Sequence, residues 1–213
     1  MTWENIRFFD PRGDVEKTHN WLPHWEQPGC AYFLTFRQAD SLPEKLLSDW
    51  KRERDTWLEV NPRPWSPEME LEHHERFTAR LHRWLDECHG SCLLREAAFQ
   101  RVMQEALEYF EGRACRQIAW VIMPNHVHTV TVLTGERNLG QLLQSWKRHA
   151  AREIHRSRGE TGTFWQKDYF DRLIRDPAHL MNCVRYIRNN PVKAGLKEHE
   201  FTLWESDLAK GIK

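Results

Sequence analysis

The chain has 213 residues with a net charge of zero, 40% hydrophobic and 29% charged residues, and 11 tryptophans. This length suits one substantial core and is short for two, and so many large aromatic residues exclude a disordered chain. No apolar run approaches the roughly twenty residues needed to cross a bilayer, which excludes a membrane-spanning protein. We therefore expect a single catalytic domain over residues 1–213.

The cysteines and the first residues indicate the compartment. The chain has five cysteines, an odd number in a chain too long to need a disulfide framework. Residues 1–12 contain no apolar signal-peptide core. We therefore expect a cytoplasmic protein. Cys88, His89 and Cys92 are spaced closely enough to suggest zinc, but they have no evident fourth ligand, so we interpret the cysteines as ordinary thiols.

A strand and a pair of helices are predicted in the first half of the chain. Residues 31–36 (AYFLTF) are aromatic or branched and predict a buried strand. Apolar residues recur at helical spacing from Pro43 to Asn61, and a second helical pattern opens at Ser66-Pro67 and ends near Gly90. These two helices form a charged segment.

The second half predicts an alternation of helices and strands. Its elements are a helix at 96–110, strands at 117–123 and 127–133, a helix at 138–159, a strand at 164–170 and a helix at 176–189. Only Pro124, Asn125 and His126 separate the first two of these strands, so they form an antiparallel hairpin. The order predicts an α+β fold with a ferredoxin-like antiparallel sheet (split βαβ), helices on one face and a helical insertion at about residues 42–90.

Charge is unevenly distributed along the neutral chain. Residues 141–197 contain twelve Lys and Arg against five Asp and Glu, and the rest of the chain is net negative. A basic segment of this kind fits contacts with nucleic-acid phosphates, although a solvated helix face gives the same pattern.

Two histidines are spaced to share a metal ion. His126 and His128 lie two residues apart in a predicted strand, so both side chains point to the same face of the sheet, which we expect to be open. Imidazole is a common ligand of divalent metals. Packing or surface positions for both histidines are the alternative interpretation.

A tyrosine and an asparagine lie one helical turn apart near the end of the last long helix. Tyr186 and Asn190 therefore share a face of that helix, which gives a candidate nucleophile and a candidate third metal ligand. The alternative is that Tyr186 packs into the core beside Val184 and Ile187.

Three motifs resemble those of the single-tyrosine HUH transposases, and most closely those of the branch associated with repetitive extragenic palindromes (REP). The motifs are WVIMPNHVH at residues 120–128, FWQ with YFDR at 164–172, and YIRNNPVKAGL at 186–196. The resemblance covers residues 92–196 and the strand at 32–37, and it does not extend to the segment at 42–87.

The resemblance implies a function. It identifies His126, His128 and Asn190 with the family's ligands of a divalent metal, Mg²⁺ or Mn²⁺, and Tyr186 with its nucleophile. It implies a metal-dependent transposase that nicks and joins single-stranded DNA next to a palindromic hairpin, through a 5′-phosphotyrosine intermediate. The sequence is compatible with a monomer or a homodimer.

Further residues near the motifs are candidates for contacting DNA. Aromatic rings stack on unpaired bases and cations contact phosphates. The candidates are Lys147, Arg148, Arg152, Trp165, Gln166 and Arg172. A tryptophan flanked by apolar residues also fits a core position.

Two other functions fit parts of this pattern. A domesticated protein that binds hairpin DNA without cleaving it would keep the fold, although the intact histidines and Tyr186 argue against this alternative. A metal-dependent hydrolase of small phosphoesters would use the histidines and would need no tyrosine. A covalent protein–DNA adduct distinguishes the three.

Overall fold

A five-stranded antiparallel sheet forms the centre of the fold in the computed structural model, which describes residues 3, 6–19, 23–135 and 137–213. A separate two-stranded sheet precedes it. The strands are β1 (Glu16–His19), β2 (Pro23–Glu26), β3 (Ala31–Arg37), β4 (Cys115–Ile122), β5 (His126–Leu133), β6 (Phe170–Leu173) and β7 (Thr202–Glu205). The predicted α+β class is confirmed.

The described helices lie between and after these strands. They are α1 (Glu44–Val60), α2 (Pro67–His73), α3 (Arg80–Asp86), α4 (Ala97–Glu108), α5 (Leu139–Arg158), α6 (Pro177–Lys193) and α7 (Asp207–Lys210). A π-helical turn, His74–Ala79, joins α2 to α3, and the residues at both junctions keep helical backbone angles. The segment from α2 to α3 is therefore one continuous helical rod. None of the described helices is long and apolar enough to cross a membrane.

The strand order gives the ferredoxin-like topology. The central sheet runs β6-β3-β5-β4-β7, with antiparallel neighbours throughout. The unit β3-α4-β4-β5-α5-β6 is a split βαβ arrangement in which the hairpin of β4 and β5 lies beside β3. The sequence analysis did not predict β7, which extends the sheet beyond β4.

Helices cover both faces of the sheet. Helices α4 and α5 pack on one face through Met103, Leu107, Leu142 and Trp146, as predicted for helices that share a face. Helix α6 packs on the opposite face, where Val184 and Ile187 meet strand residues such as Val130. The prediction of helices on one face is therefore correct for α4 and α5 and wrong for α6.

The strand predicted at residues 164–170 is wrong in position. The strand β6 begins at Phe170, and Trp165 forms only an isolated bridge with Gln38. The ring of Trp165 packs against Phe36 at a centroid distance of 5.1 Å, and its indole nitrogen donates to the backbone oxygen of Lys147. Packing under α5, and not strand pairing, therefore explains the apolar character of this segment.

The predicted insertion forms a helical layer with a small core of its own. Helix α1 packs against the rod of α2 and α3 through Trp50, Trp57 and Phe77. The Trp50 indole donates to the Phe77 backbone oxygen at 3.1 Å, and Arg76 and Arg80 on the rod both bond to Glu53 on α1. These contacts fix the rod as a unit, with the end of α3 over the sheet.

A buried ion cluster connects β2 to β6. His24 donates from Nδ1 to Asp171 at 2.5 Å and from Nε2 to Asp168 at 2.9 Å. Burial by itself lowers the pKa of His24, but the hydrogen bonds to Asp168 and Asp171 outweigh it and raise the pKa to about 9. The imidazolium form is therefore the one that fits this cluster.

We expect the free energy of unfolding to decrease as the pH rises from 7 to 10. The raised pKa of His24 contributes stability that is fully present below the unfolded value near pH 6.5 and is lost as the pH passes about 9. Urea unfolding at pH 7 and at pH 10 should give free energies of unfolding that differ by about 2 to 3 kcal/mol. His24→Gln serves as the control, and an equal decrease in that variant would contradict the assignment.

Candidate active site

The two histidines of the HVH motif lie together beneath the insertion. Register places His126 opposite Arg37 and His128 opposite Thr35, on the face that also carries Val130. Both side chains have 0% exposed surface. The predicted common face is correct, but the expectation of an open face is wrong, because α3 covers the pair.

The histidine rings are held in a defined orientation. The Nε2 atoms of His126 and His128 are 3.0 Å apart. Nδ1 of His126 lies 2.7 Å from the side-chain oxygen of Asn125, whose nitrogen donates to the backbone oxygen of His89. Because an amide oxygen only accepts, Nδ1 of His126 carries the proton, and the unprotonated Nε2 can accept from His128 or bind a cation.

His128 has an equivalent orienting contact. Its Nδ1 lies 2.7 Å from the Thr35 hydroxyl, which can accept or donate. Burial lowers the pKa of His126 to about 3 and the pKa of His128 well below its usual value, and the neighbouring His126 and His82 lower the pKa of His128 further. Both imidazoles are therefore neutral, which is the form that binds metals.

Helix α6 brings Tyr186 to the same place. Asp176 caps the helix and Pro177 occupies its first turn. The Tyr186 ring lies 5.2 Å from the His128 ring and 5.6 Å from the Phe33 ring, between centroids. Burial raises the pKa of the Tyr186 phenol above its usual value, and the carboxylate of Asp86 raises it further. The phenol is therefore protonated in the DNA-free protein.

Asn190 follows one turn later and is fully buried, on a helix that continues through Pro191 to Lys193. Its side-chain oxygen and nitrogen make no hydrogen bond of normal geometry within the described residues, and neither does the Tyr186 hydroxyl, although the Asn190 amide lies close to the Tyr186 phenol and to the Asp86 carboxylate. Buried polar atoms are almost always paired in folded proteins. Such unpaired groups indicate a site for a ligand or an ion.

The geometry of the histidine pair fits a divalent ion. The two Nε2 atoms are 3.0 Å apart, close enough for both neutral imidazoles to bind one divalent ion. In the described part of the chain, no three His, Cys, Asp or Glu side chains are grouped closely enough to hold a metal. A third protein ligand would therefore be an amide such as Asn190, or a carboxylate that moves closer.

Two side chains from the insertion reach the site, and the sequence analysis did not identify them. The His82 ring lies 5.4 Å from the His128 ring and 5.7 Å from the Tyr186 ring, and Asp86 Oδ1 lies 4.0 Å from His126 Nε2. Their spacing of four residues places them on one helix face, but it does not show what that face contacts. Burial raises the pKa of Asp86 to about 6.

A cavity of about 830 Å³ opens beside Tyr186, between the insertion and α6. Arg83, Arg172 and Lys193 contribute positive charge to its lining. Arg172 donates to the His74 ring at 3.1 Å, and the Lys193 ammonium lies 5.7 Å from the Tyr186 ring centroid. The cavity volume is within the range of sites for small molecules.

The other predicted DNA contacts lie elsewhere. Lys147, Arg148, Trp165 and Gln166 surround a second cavity of about 640 Å³ along α5, on the opposite face of the sheet. Lys147 donates to the backbone oxygens of Gln166 and Lys167, and Arg152 pairs with Glu153. Trp165 is only 6% exposed, so stacking of a base on its ring requires a rearrangement.

The cysteines are unpaired thiols. All five are free, and the Cys92 thiol donates to the Cys88 backbone oxygen at 3.0 Å. Both residues have positive φ angles, of 55° and 49°, in the turn after α3. This turn carries His89, whose backbone oxygen accepts from Asn125, so it connects the insertion to the histidine pair.

Comparison with known proteins shows a family similarity in the segment that carries this site. Residues 91–190 match the family model described as "Transposase IS200 like". This segment contains His126, His128, Tyr186 and Asn190. Over residues 91–190, a little under half of the chain, the protein is therefore similar to IS200-like transposases, in the segment that carries the motifs.

Three individual proteins are also similar. An uncharacterized protein of Haemophilus influenzae is 26% identical over 110 residues, which cover 41% of this chain and 55% of that protein, about half its length. A REP-associated tyrosine transposase solved with a REP hairpin has a TM-score of 0.46 at 13% identity, covering 90% of this chain and 93% of its own. A transposase candidate from Deinococcus radiodurans R1 has a TM-score of 0.31 at 13% identity, and the match covers 85% of this chain and 97% of that one.

Proposed function

We propose that this chain is a metal-dependent single-strand DNA transesterase, a transposase of the single-tyrosine HUH type in its REP-associated branch. It would nick and join DNA next to a hairpin, with Tyr186 as the nucleophile. The observation that carries the proposal is the position of Tyr186 beside His128, with 5.2 Å between the ring centroids, on the face that buries the histidine pair. The motifs support the hairpin substrate.

The histidines and Asn190 would hold the cation. When bound by His126, His128 and Asn190, Mg²⁺ or Mn²⁺ would polarise the scissile phosphate and offset its developing charge. Asn125 and Thr35 would orient the two imidazoles through their Nδ1 atoms. The insertion and α6 would exclude bulk water from the reacting atoms.

Tyr186 would break and later restore a phosphodiester. Its oxygen attacks phosphorus, the bond to the 3′ oxygen breaks, the phenol loses its proton and the leaving oxygen gains one. The products are a 5′-phosphotyrosine and a free 3′ hydroxyl. A 3′ hydroxyl from a second strand reverses the step and releases the phenol, so strands are joined without ATP.

Arg172 would guide the strand to be cleaved, because it lines the cavity next to Tyr186. Lys147 and Arg148 lie on α5 beside Gln166 and Trp165, where they would contact phosphates of the hairpin arm. Arg152 lines a separate cavity of about 450 Å³ further along α5, where it would contact a phosphate on its own. DNA would then contact both faces of the sheet, around its edge.

Trapping a covalent adduct tests the proposal. The protein is incubated with Mn²⁺ and a pool of hairpin oligonucleotides that carry random single-stranded flanks, then denatured and digested. Peptide mass spectrometry should find a nucleotide on Tyr186. Hairpin binding without an adduct would identify a non-cleaving DNA-binding protein. Repeated hydrolysis of small phosphoesters without an adduct would identify a phosphoesterase.

We expect hairpin binding to weaken steeply with salt and to persist in Tyr186→Phe, because phosphate contacts and not the phenol provide affinity. The slope of log K against log salt should be about −0.7 for each single-strand phosphate neutralised. Arg172→Gln should make the slope shallower by about one such contact, whereas Arg101→Gln, on the exposed side of α4, should not. A salt response that stays flat would contradict DNA as the partner.

A further inference from the structure

The insertion presents two side chains to the active site from one helical turn. His82 and Asp86 lie four residues apart on α3, so they share a helix face. His82 contacts the rings of His128 and Tyr186, and Asp86 extends toward His126. The end of α3 therefore lies directly against the proposed metal ligands.

The position of this helix end is fixed by contacts with the core. The Asn125 side chain donates to the His89 backbone oxygen at 3.0 Å, and the Ser91 backbone nitrogen donates to the Asp40 carboxylate at 2.7 Å. Asn125 is also the residue that orients His126. The same side chain thus holds both the histidine and the turn that follows Asp86.

Asp86 has one oxygen directed into the site. Its buried Oδ1 lies 4.0 Å from His126 Nε2 and makes no hydrogen bond of normal geometry within the described residues, although the Asn190 amide lies close to this carboxylate. The neighbouring acid, Glu87, is 55% exposed and bonds to His89 at 2.8 Å. Of these two acids, Asp86 is therefore the one available to a cation at the histidines.

The charge of the site also favours a carboxylate ligand. Two imidazoles and an amide are neutral, so they leave the charge of a divalent cation uncompensated in a buried site. Mg²⁺ and Mn²⁺ prefer oxygen ligands and are commonly bound through carboxylates. Asp86 Oδ1 lies 4.0 Å from His126 Nε2, so a movement of this one side chain would bring its carboxylate to a cation held by the two imidazoles.

We propose that the helical insertion completes the metal site by supplying Asp86 as a ligand, alongside His126 and His128. This inference rests on the proposed function, and it gives the insertion a role that the motifs do not. Binding of the cation would then connect α3, the strand β5 and the tyrosine helix α6.

A calorimetric titration of the full chain with Mn²⁺, in the absence of DNA, tests whether Asp86 is a ligand. Asp86→Asn should weaken Mn²⁺ binding by about tenfold or more, while Glu87→Gln stays within about twofold of the unmodified protein. Thermal unfolding without metal should show that both variants fold. Unchanged Mn²⁺ affinity in Asp86→Asn would overturn the inference.

The variant His126→Ala separates this inference from the proposed function. If His126→Ala loses Mn²⁺ binding and Asp86→Asn keeps it, the histidine site stands and Asp86 is not a ligand. If His126→Ala also binds Mn²⁺ as the unmodified protein does, the proposed metal site itself is wrong.

Asp86→Cys distinguishes ligation from a simple effect of charge. A thiolate that binds Co²⁺ directly gives a charge-transfer absorption band, and the unmodified protein, which contains Cys88 and Cys92, provides the background. A new band in Asp86→Cys that disappears when His126→Ala is added supports ligation. The opposite result is that Asp86→Asn binds Mn²⁺ weakly while Asp86→Cys shows no charge-transfer band. That result would show that Asp86 acts only through its charge, and it would overturn its role as a ligand.

Discussion

Replacing Tyr186 with phenylalanine should abolish both the covalent adduct and strand cleavage. Among the four tyrosines, Tyr186 lies on the histidine face, whereas Tyr32 and Tyr169 pack into the core on the opposite face. The Tyr32 hydroxyl is already bonded to Gln27, and the Tyr169 ring stacks on His24. Cleavage of a labelled hairpin oligonucleotide on a denaturing gel measures the loss.

The same variant should retain or gain stability. The buried Tyr186 hydroxyl has no hydrogen-bond partner among the described residues, so its removal eliminates a desolvated polar group. Such a group costs about 1 to 3 kcal/mol, and we expect thermal unfolding of Tyr186→Phe at the same or a higher temperature. Loss of activity together with lower stability would instead indicate a structural role.

Tyr109→Phe is the matched control for the cleavage assay. Tyr109 is 60% exposed, directly after α4, and its removal should leave adduct formation and cleavage unchanged. Persistent cleavage in Tyr186→Phe, or a nucleotide found on Tyr169, would show that the nucleophile has been assigned wrongly.

Local patterns predicted how the main residues of the candidate site are placed on their strand and helix. Alternation in a strand placed His126 and His128 on one face, and the helical repeat placed Asn190 one turn from Tyr186. The helix α5 was also predicted with its capping residues, Asn138 and Gly159, because both act through neighbouring backbone groups.

Features that depend on distant contacts were not predictable in this way. Asp86 meets His126 across 40 positions of sequence, and nothing in the pattern of α3 distinguishes a helix that covers a site from one that covers solvent. Trp165 has the composition of a strand residue or a stacking platform, but its environment is decided by Phe36 and α5. The surroundings of Asp86 and Trp165 are determined by tertiary packing, which the spacing of residues within one helix or strand does not predict.

Removal of either histidine should abolish metal binding and metal-dependent nicking. With Mn²⁺ at about 100 times its dissociation constant, the unmodified protein should gain about 2.7 kcal/mol of stability, and a chelator should reverse the gain. His126→Ala and His128→Ala should show no gain, because each leaves one imidazole of the pair. Asn190→Ala should keep part of the Mn²⁺-dependent gain in stability, since water can replace one neutral ligand.

Both histidine variants should also be less stable without metal. His126 and His128 are fully buried, and their loss leaves the Asn125 oxygen or the Thr35 hydroxyl without its ring partner. A cost of about 1 to 3 kcal/mol is expected from the cavity and the unpaired group. Activity must therefore be compared at a temperature where each variant is folded, as shown by circular dichroism.

His149→Ala, on α5 and away from the histidine pair, controls for general effects of losing a histidine. It should keep the Mn²⁺-dependent gain in stability and the nicking activity. Full nicking activity in His128→Ala would remove the metal from the mechanism. If His128→Ala keeps full nicking activity but loses the Mn²⁺-dependent gain in stability, the cation stabilises this fold without taking part in the chemistry of Tyr186.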